Sequence, residues 1–265
     1  MQDANELSPG AEAQPGSTTV WQRLTGMFFT PGTVFAALRH QPDFVAPMLV
    51  MALLTAGFSV FFSVWVKVDP REVARRAIER QLESQGKRWS DLSDTEQRQF
   101  EQGIEFSAGL QRFAPLIGIG VSVLATLALA GVYYLGMLLA RGQATFRQVL
   151  SVTAYATYAT ESVKYVLNSL IVLLRPPDVE QILKARGSFV ISNPAPLLPE
   201  SLPGWMLAAV SWVDVFSMWF IVLMAIGLAA VAYRKTPQQM AIIPGSLWLL
   251  GLLGSVVFAL VTGGK

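Results

Sequence analysis

The sequence predicts an all-α protein, a polytopic transmembrane helical bundle of about five spans with a soluble helical hairpin inserted between spans one and two. Two observations carry this. Hydrophobic residues make up 52% of the chain and charged ones only 14%, against roughly 25% charged in a soluble domain. The missing charge is concentrated in long runs, each able to cross a hydrocarbon layer of about 30 Å at about 1.5 Å per residue. Runs of that length and apolarity favour helices over barrel strands, because a helix satisfies its own backbone hydrogen bonds in lipid.

Residues 1–20 are rich in Gly, Pro, Ser, Ala and acids, and predict a disordered tail with no signal peptide. Residues 21–43 form an interfacial helix region. Thr30 before Pro31 marks a helix start, and Val34, Phe35 and Leu38 then share one face. That face suits either the membrane interface or a cap packed on the bundle.

The five-span domain covers residues 44–262, with spans over about 44–66, 113–140, 149–174, 205–233 and 240–261. Gly118, Gly120, Gly131 and Gly136 in span two, and Gly251 with Ser255 in span five, allow close helix approach. The charged insert, residues 67–112, holds nine basic and nine acidic residues. Asp69-Pro70 opens its first helix, with Val73, Ala77, Ile78 and Leu82 apolar, and Gly86 ends it. Ser93 and Glu96 form a capping-box pattern for the second, with Phe100, Ile104 and Leu110 inward. The hairpin is expected to sit on the membrane surface.

Charge inside the spans is confined to Glu161, Lys164 and Asp214. An unpaired charge near the bilayer centre costs roughly 3 kcal/mol or more, so such residues face the bundle and find partners. Lys164 lies ten residues before the end of span three and Asp214 nine after the start of span four. In antiparallel helices the two then meet at one depth, about 14 Å in. Glu161 is a same-face neighbour of Lys164. The expectation is an ionic cluster in which Lys164 bridges both carboxylates. Tyr155, Tyr158, Tyr165 and Asn168, with Ser162 and Ser169, complete a polar stripe on span three. It either fixes helix register or lines a cavity for a proton, an ion or a lipid head group.

Several classes of chemistry lack their residues. Cysteine is absent and His40 is the single histidine, so thiolate catalysis, Cys- or His-based metal sites and Ser-His pairs have no candidates. No phosphate loop or dinucleotide fingerprint is present, and no cofactor is expected. With 20 basic and 18 acidic residues, the chain has no clustered basic face for nucleic acid. Catalytic and metal sites are therefore expected to be none. Membrane lipids are the expected partners, together with an unidentified membrane or peripheral protein, and a homo-oligomer is compatible with the sequence. The basic residues of the N-terminal region and short loops, Arg23, Arg39, Arg141, Arg147, Arg234 and Lys235, favour a cytoplasmic N-terminus.

A Pro-Gly-x-x-Phe-x-x-Leu run (Pro31, Gly32, Phe35, Leu38) leads into span one. A Phe-x-Gln-Val-Leu-x-x-x-Ala-Tyr run (Phe146, Gln148, Val149, Leu150, Ala154, Tyr155) opens span three. With the charged insert and the five spans, this resembles the Yip-type domain family, the Ypt/Rab GTPase-interacting membrane proteins, in its bacterial branch. The resemblance covers residues 21–262 and implies five spans, a cytoplasmic N-terminus and a bacterial inner membrane. Eukaryotic relatives bind Rab-type GTPases in vesicle traffic. The proline and the acidic aromatic motif that often mark those members are absent here. Two functions follow. One is a non-enzymatic scaffold or adaptor that organises membrane partners or lipids through the insert and the N-terminal helix. The other is a small channel, transporter or lipid-handling protein using the charged cluster. A funnel-shaped cavity reaching Lys164 points to the second, and a dry, packed cluster to the first.

Overall fold

A computed structural model describes residues 19–262, apart from 186 and 200. The expected tail lies outside the described residues except for Thr19 and Val20, which start the first helix. All regular structure among the described residues is helical.

Thr19 caps α1 (Val20–Phe29) in a reciprocal box. Its backbone N–H donates to Gln22 Oε1 at 2.8 Å, and Gln22 N–H donates to Thr19 Oγ1 at 3.3 Å. Proline at the first position starts α2 (Pro31–His40). Its Val34–Phe35–Leu38 face is buried, with Phe35 and Leu38 at 0% exposure, and the helix packs on the later helices Val215–Val231 and Phe146–Leu174. Of the two fates the sequence leaves open for that face, the structure uses it in the core.

Asp43 Oδ1 accepts the Val45 N–H at 3.0 Å where α3 (Val45–Trp65) begins. The insert follows as α4 (Pro70–Ser84) and α5 (Asp94–Leu110). Asp69 caps α4, and Gly86 ends it at φ +71°, where a side chain would be strained. Ser93 and Glu96 cap α5 reciprocally. Leu82 and Ile104 are buried between the two helices, while Leu110, expected inward, is 38% exposed. Arg71 grips Glu105 through two hydrogen bonds of 2.8 and 3.1 Å, and this holds the Glu105 carboxyl below its usual pKa. Arg80 pairs with Glu180 of α8 (Val179–Ala185).

The second helix of the hairpin continues into the next apolar helix. A single 3₁₀ turn joins α5 to α6 (Ala114–Leu139), so Asp94–Leu139 runs as one helix of 46 residues. At about 1.5 Å per residue that is about 69 Å, over twice the hydrocarbon thickness. The polar first half therefore projects beyond the apolar second half.

Thr145 and Gln148 box the start of α7 (Phe146–Leu174). From Val149 to Thr160 every residue except Thr157 is buried, because α3, α6, the helix Val215–Val231 and the N-terminal helices surround this helix. Its hydroxyls turn back on the helix: Ser151, Thr153 and Thr160 donate to carbonyls four residues earlier at 2.8–3.1 Å. Polar residues here thus cost little.

Among the described residues, three helices are long and apolar enough to cross a membrane: Val45–Trp65, Asp94–Leu139 and Pro237–Val261. The last combines α11 (Pro237–Met240) with α12 (Ile242–Val261). Their outer faces expose rows of large apolar side chains, such as Leu49, Leu53, Val60 and Val64 on α3 and Leu250, Val257 and Phe258 on α12. So large an apolar surface belongs in lipid. The fourth candidate is broken. Instead of one helix over 205–233, the chain forms α9 (Gly204–Ser211) and α10 (Val215–Val231), bent by 46°.

Candidate functional site

The break between α9 and α10 organises the site. Asp214 sits at the N-cap of α10, where its Oδ1 accepts from Ser217 N–H at 2.9 Å and from the Ser217 hydroxyl at 3.3 Å. Its Oδ2 accepts from the Ser192 hydroxyl. The Trp212 carbonyl, at the break, accepts from Asp214 N–H at 3.0 Å and from the Trp248 indole N–H on α12 at 3.2 Å. The Trp212 ring lies against Gly251, where a Cβ would overlap the indole. The small residue expected at a helix contact therefore receives the side chain at the kink.

Glu161 and Lys164, one turn apart on α7, form an ion pair with Lys164 Nζ 2.7 Å from Glu161 Oε1. Lys164 Nζ also lies over the face of Phe216, 5.2 Å from its centroid. The expected bridge from Lys164 to Asp214 is not formed. The depth argument assumed an unbroken fourth helix. The break instead turns the carboxylate onto the Ser217 N–H in the first turn of α10 and onto Ser192 in the loop before α9.

That loop forms one wall of the site. Asn168 on α7 donates to the Lys164 carbonyl at 2.9 Å and accepts the Phe189 N–H at 2.7 Å. Phe189 stacks on Phe62 of α3, centroids 6.0 Å apart. Val215 N–H donates to the Ser192 carbonyl at 3.1 Å. The loop is thus tied to α3, α7 and α10.

Two cavities meet at the ion pair. A vestibule of about 950 Å³ lies between α7, α8, this loop and the break. A chamber of about 480 Å³ lies between α6, α7, α10 and α12, with Leu129, Tyr133, Phe220, Ile221 and Leu247 on its walls. Glu161, Lys164, Tyr165 and Ser217 line both, so they form the neck. Tyr165 is held there by a 3.0 Å hydrogen bond between its hydroxyl and that of Thr55.

Of the residues the sequence singles out, Glu161, Lys164, Tyr165, Asn168 and Asp214 line the vestibule. Tyr155 and Tyr158 do not. Tyr155 is wholly buried and donates to Asp43 Oδ2 at 3.4 Å. Tyr158 meets Phe28 edge-on at 5.7 Å. At 3.6 residues per turn, Tyr155 points about 180° and Tyr158 about 120° away from Lys164. Tyr155 and Tyr158 therefore lie on a different side of the helix from the charged pair, while Tyr165 and Asn168 lie with it. Sequence reasoning missed Ser192, Trp212 and Phe216. Asp214 followed three residues later by Ser217 was a readable cap signal, but the apolar run around it concealed the break.

Fold and site together define a class: a polytopic, all-α integral membrane protein with a broken helix beside two adjoining cavities. Residues 25–258 match the Yip1 domain, and the chain belongs to that family. It is also 24% identical over 263 residues to membrane protein YknW of Bacillus subtilis (strain 168), spanning 97% of this chain and 96% of that one. No solved structure matches it significantly. Of the ten residues that carry the resemblance, Phe35, Leu38, Val149, Leu150, Ala154 and Tyr155 are buried, whereas Pro31, Gly32, Phe146 and Gln148 are not.

Proposed function

We propose that this chain is a non-enzymatic, five-span protein of a bacterial inner membrane, N-terminus cytoplasmic, that holds a membrane lipid within its bundle. In this reading α7 and the broken α9–α10 pair are the third and fourth spans. The observation that carries it is the meeting at the Glu161–Lys164 pair of two cavities with mainly apolar surfaces, of which the vestibule alone adds the polar side chains Asn168, Lys184 and Asp214. That arrangement matches an amphiphile, with the headgroup at the neck and an acyl chain beyond it. The chamber volume of about 480 Å³ falls in the usual range for ligand sites, roughly 300–1,000 Å³. Charges kept inside a membrane commonly mark a pathway or site.

The test is purification from native membrane with identification of retained lipids, for the wild type and for Ala125→Trp. Ala125 lines the chamber and is exposed on α6, so the indole fills the chamber without entering the core. The reading expects a lipid retained by the wild type and lost in the variant. Equal retention by both would overturn it.

The scaffold reading keeps one supporting observation. The α4–α5 hairpin is carried clear of the apolar stretch by the continuous Asp94–Leu139 helix, a placement suited to docking a peripheral protein. If lipid retention survives replacement of the hairpin by a short linker, the two roles are separable.

A further inference from the structure

Resting on the reading that a lipid occupies the chamber, we propose that its headgroup is zwitterionic, carrying an ammonium and an anionic group together. The neck holds one cation and one carboxylate, already joined at 2.7 Å. Among the described lining residues of the vestibule the charges balance: Lys164 and Lys184 against Glu161 and Asp214. Asp214 is hydrogen-bonded to Ser192 and to the start of α10, and Lys184, on α8, lines the vestibule but not the chamber. Among the described residues, the charged groups at the neck are therefore Glu161 and Lys164, which are 37% and 28% exposed.

A purely anionic headgroup would draw Lys164 from its partner. It would leave the Glu161 carboxylate beside a second negative charge, and like charges oppose each other. A purely cationic headgroup would strand Lys164 in the same way. A zwitterion exchanges the internal pair for two intermolecular pairs and adds no net charge. Its anion meets Lys164 Nζ and its ammonium meets Glu161. The face of Phe216 lies 5.2 Å from Nζ and can support either ammonium. Ser217, at the neck, donates its hydroxyl to Asp214 and so offers no competing charge.

The experiment titrates the full chain in detergent with phosphatidylethanolamine or phosphatidylglycerol of identical acyl chains, with binding read by native mass spectrometry. The wild type is expected to hold phosphatidylethanolamine about tenfold more tightly. Glu161→Gln leaves Lys164 as an unpaired cation at the neck, and is expected to reverse the preference. Equal or tighter binding of phosphatidylglycerol by the wild type overturns the headgroup assignment while leaving an occupied chamber. Retention of neither lipid overturns the occupied chamber as well. An unchanged preference in Glu161→Gln removes the ion pair as its source.

Discussion

The indole of Trp212 occupies the space that a side chain on Gly251 would need, so the kink in the broken helix is keyed into α12. The key has a second part, the 3.2 Å hydrogen bond from the Trp248 indole N–H to the Trp212 carbonyl. Gly251→Ala is therefore expected to destabilise the bundle by about 1–3 kcal/mol through overpacking. The shift would be read from denaturant unfolding in mixed micelles. Gly254→Ala on the same helix, where a Cβ meets nothing within 4 Å, is the control and should leave the midpoint unmoved.

Asp214 acts as a helix cap in this structure. Asp214→Asn can still accept the Ser217 N–H and should cost little. Asp214→Ala should cost about 1 kcal/mol, the usual worth of a lost N-cap. An equally large loss for both variants, in the same unfolding assay, would mean that the carboxylate charge matters more than the cap.

Lys164 and Glu161 should be coupled, and Lys164 and Asp214 should not. In a double-mutant cycle, Lys164→Met with Glu161→Gln is expected to show about 1 kcal/mol of interaction energy. The same cycle with Asp214→Asn should give a value near zero. Strong coupling to Asp214 would restore the bridge expected from spacing alone.

The hairpin should loosen in acid. Arg71 holds the Glu105 carboxyl below its ordinary pKa, so the contact favours the folded arrangement above the unfolded value, about 4.3. That contribution is lost as pH falls through the lower, folded value. Spin labels on α4 and α5 are simple to place, since the chain has no cysteine of its own. The distance between them should broaden as the carboxyl protonates. In Glu105→Gln it should already be broad at neutral pH and stay so.

Local signals in the sequence were legible. Asp69-Pro70, Gly86 and the Ser93–Glu96 box each set a helix boundary through groups a few residues apart. The apolar runs of α3, α6 and α12 were legible for the same reason. The break was not. Trp212 is fixed by Gly251 and Trp248 on a distant helix, and a hydropathy run carries no record of such a contact. The site was half legible. Glu161 and Lys164 are helical neighbours, and their pairing follows from spacing. Ser192 reaches Asp214 from an irregular loop whose path no periodicity describes. Tyr155 and Tyr158 show the opposite error, because a polar stripe on a central helix can serve the core as readily as a cavity.

The most direct measurement is an experimental structure of the chain in a lipid nanodisc. The account expects acyl-chain density in the chamber between α6, α10 and α12, continuous with headgroup density at Glu161 and Lys164. A collapsed chamber with the Lys164 ammonium sealed among side chains would contradict it.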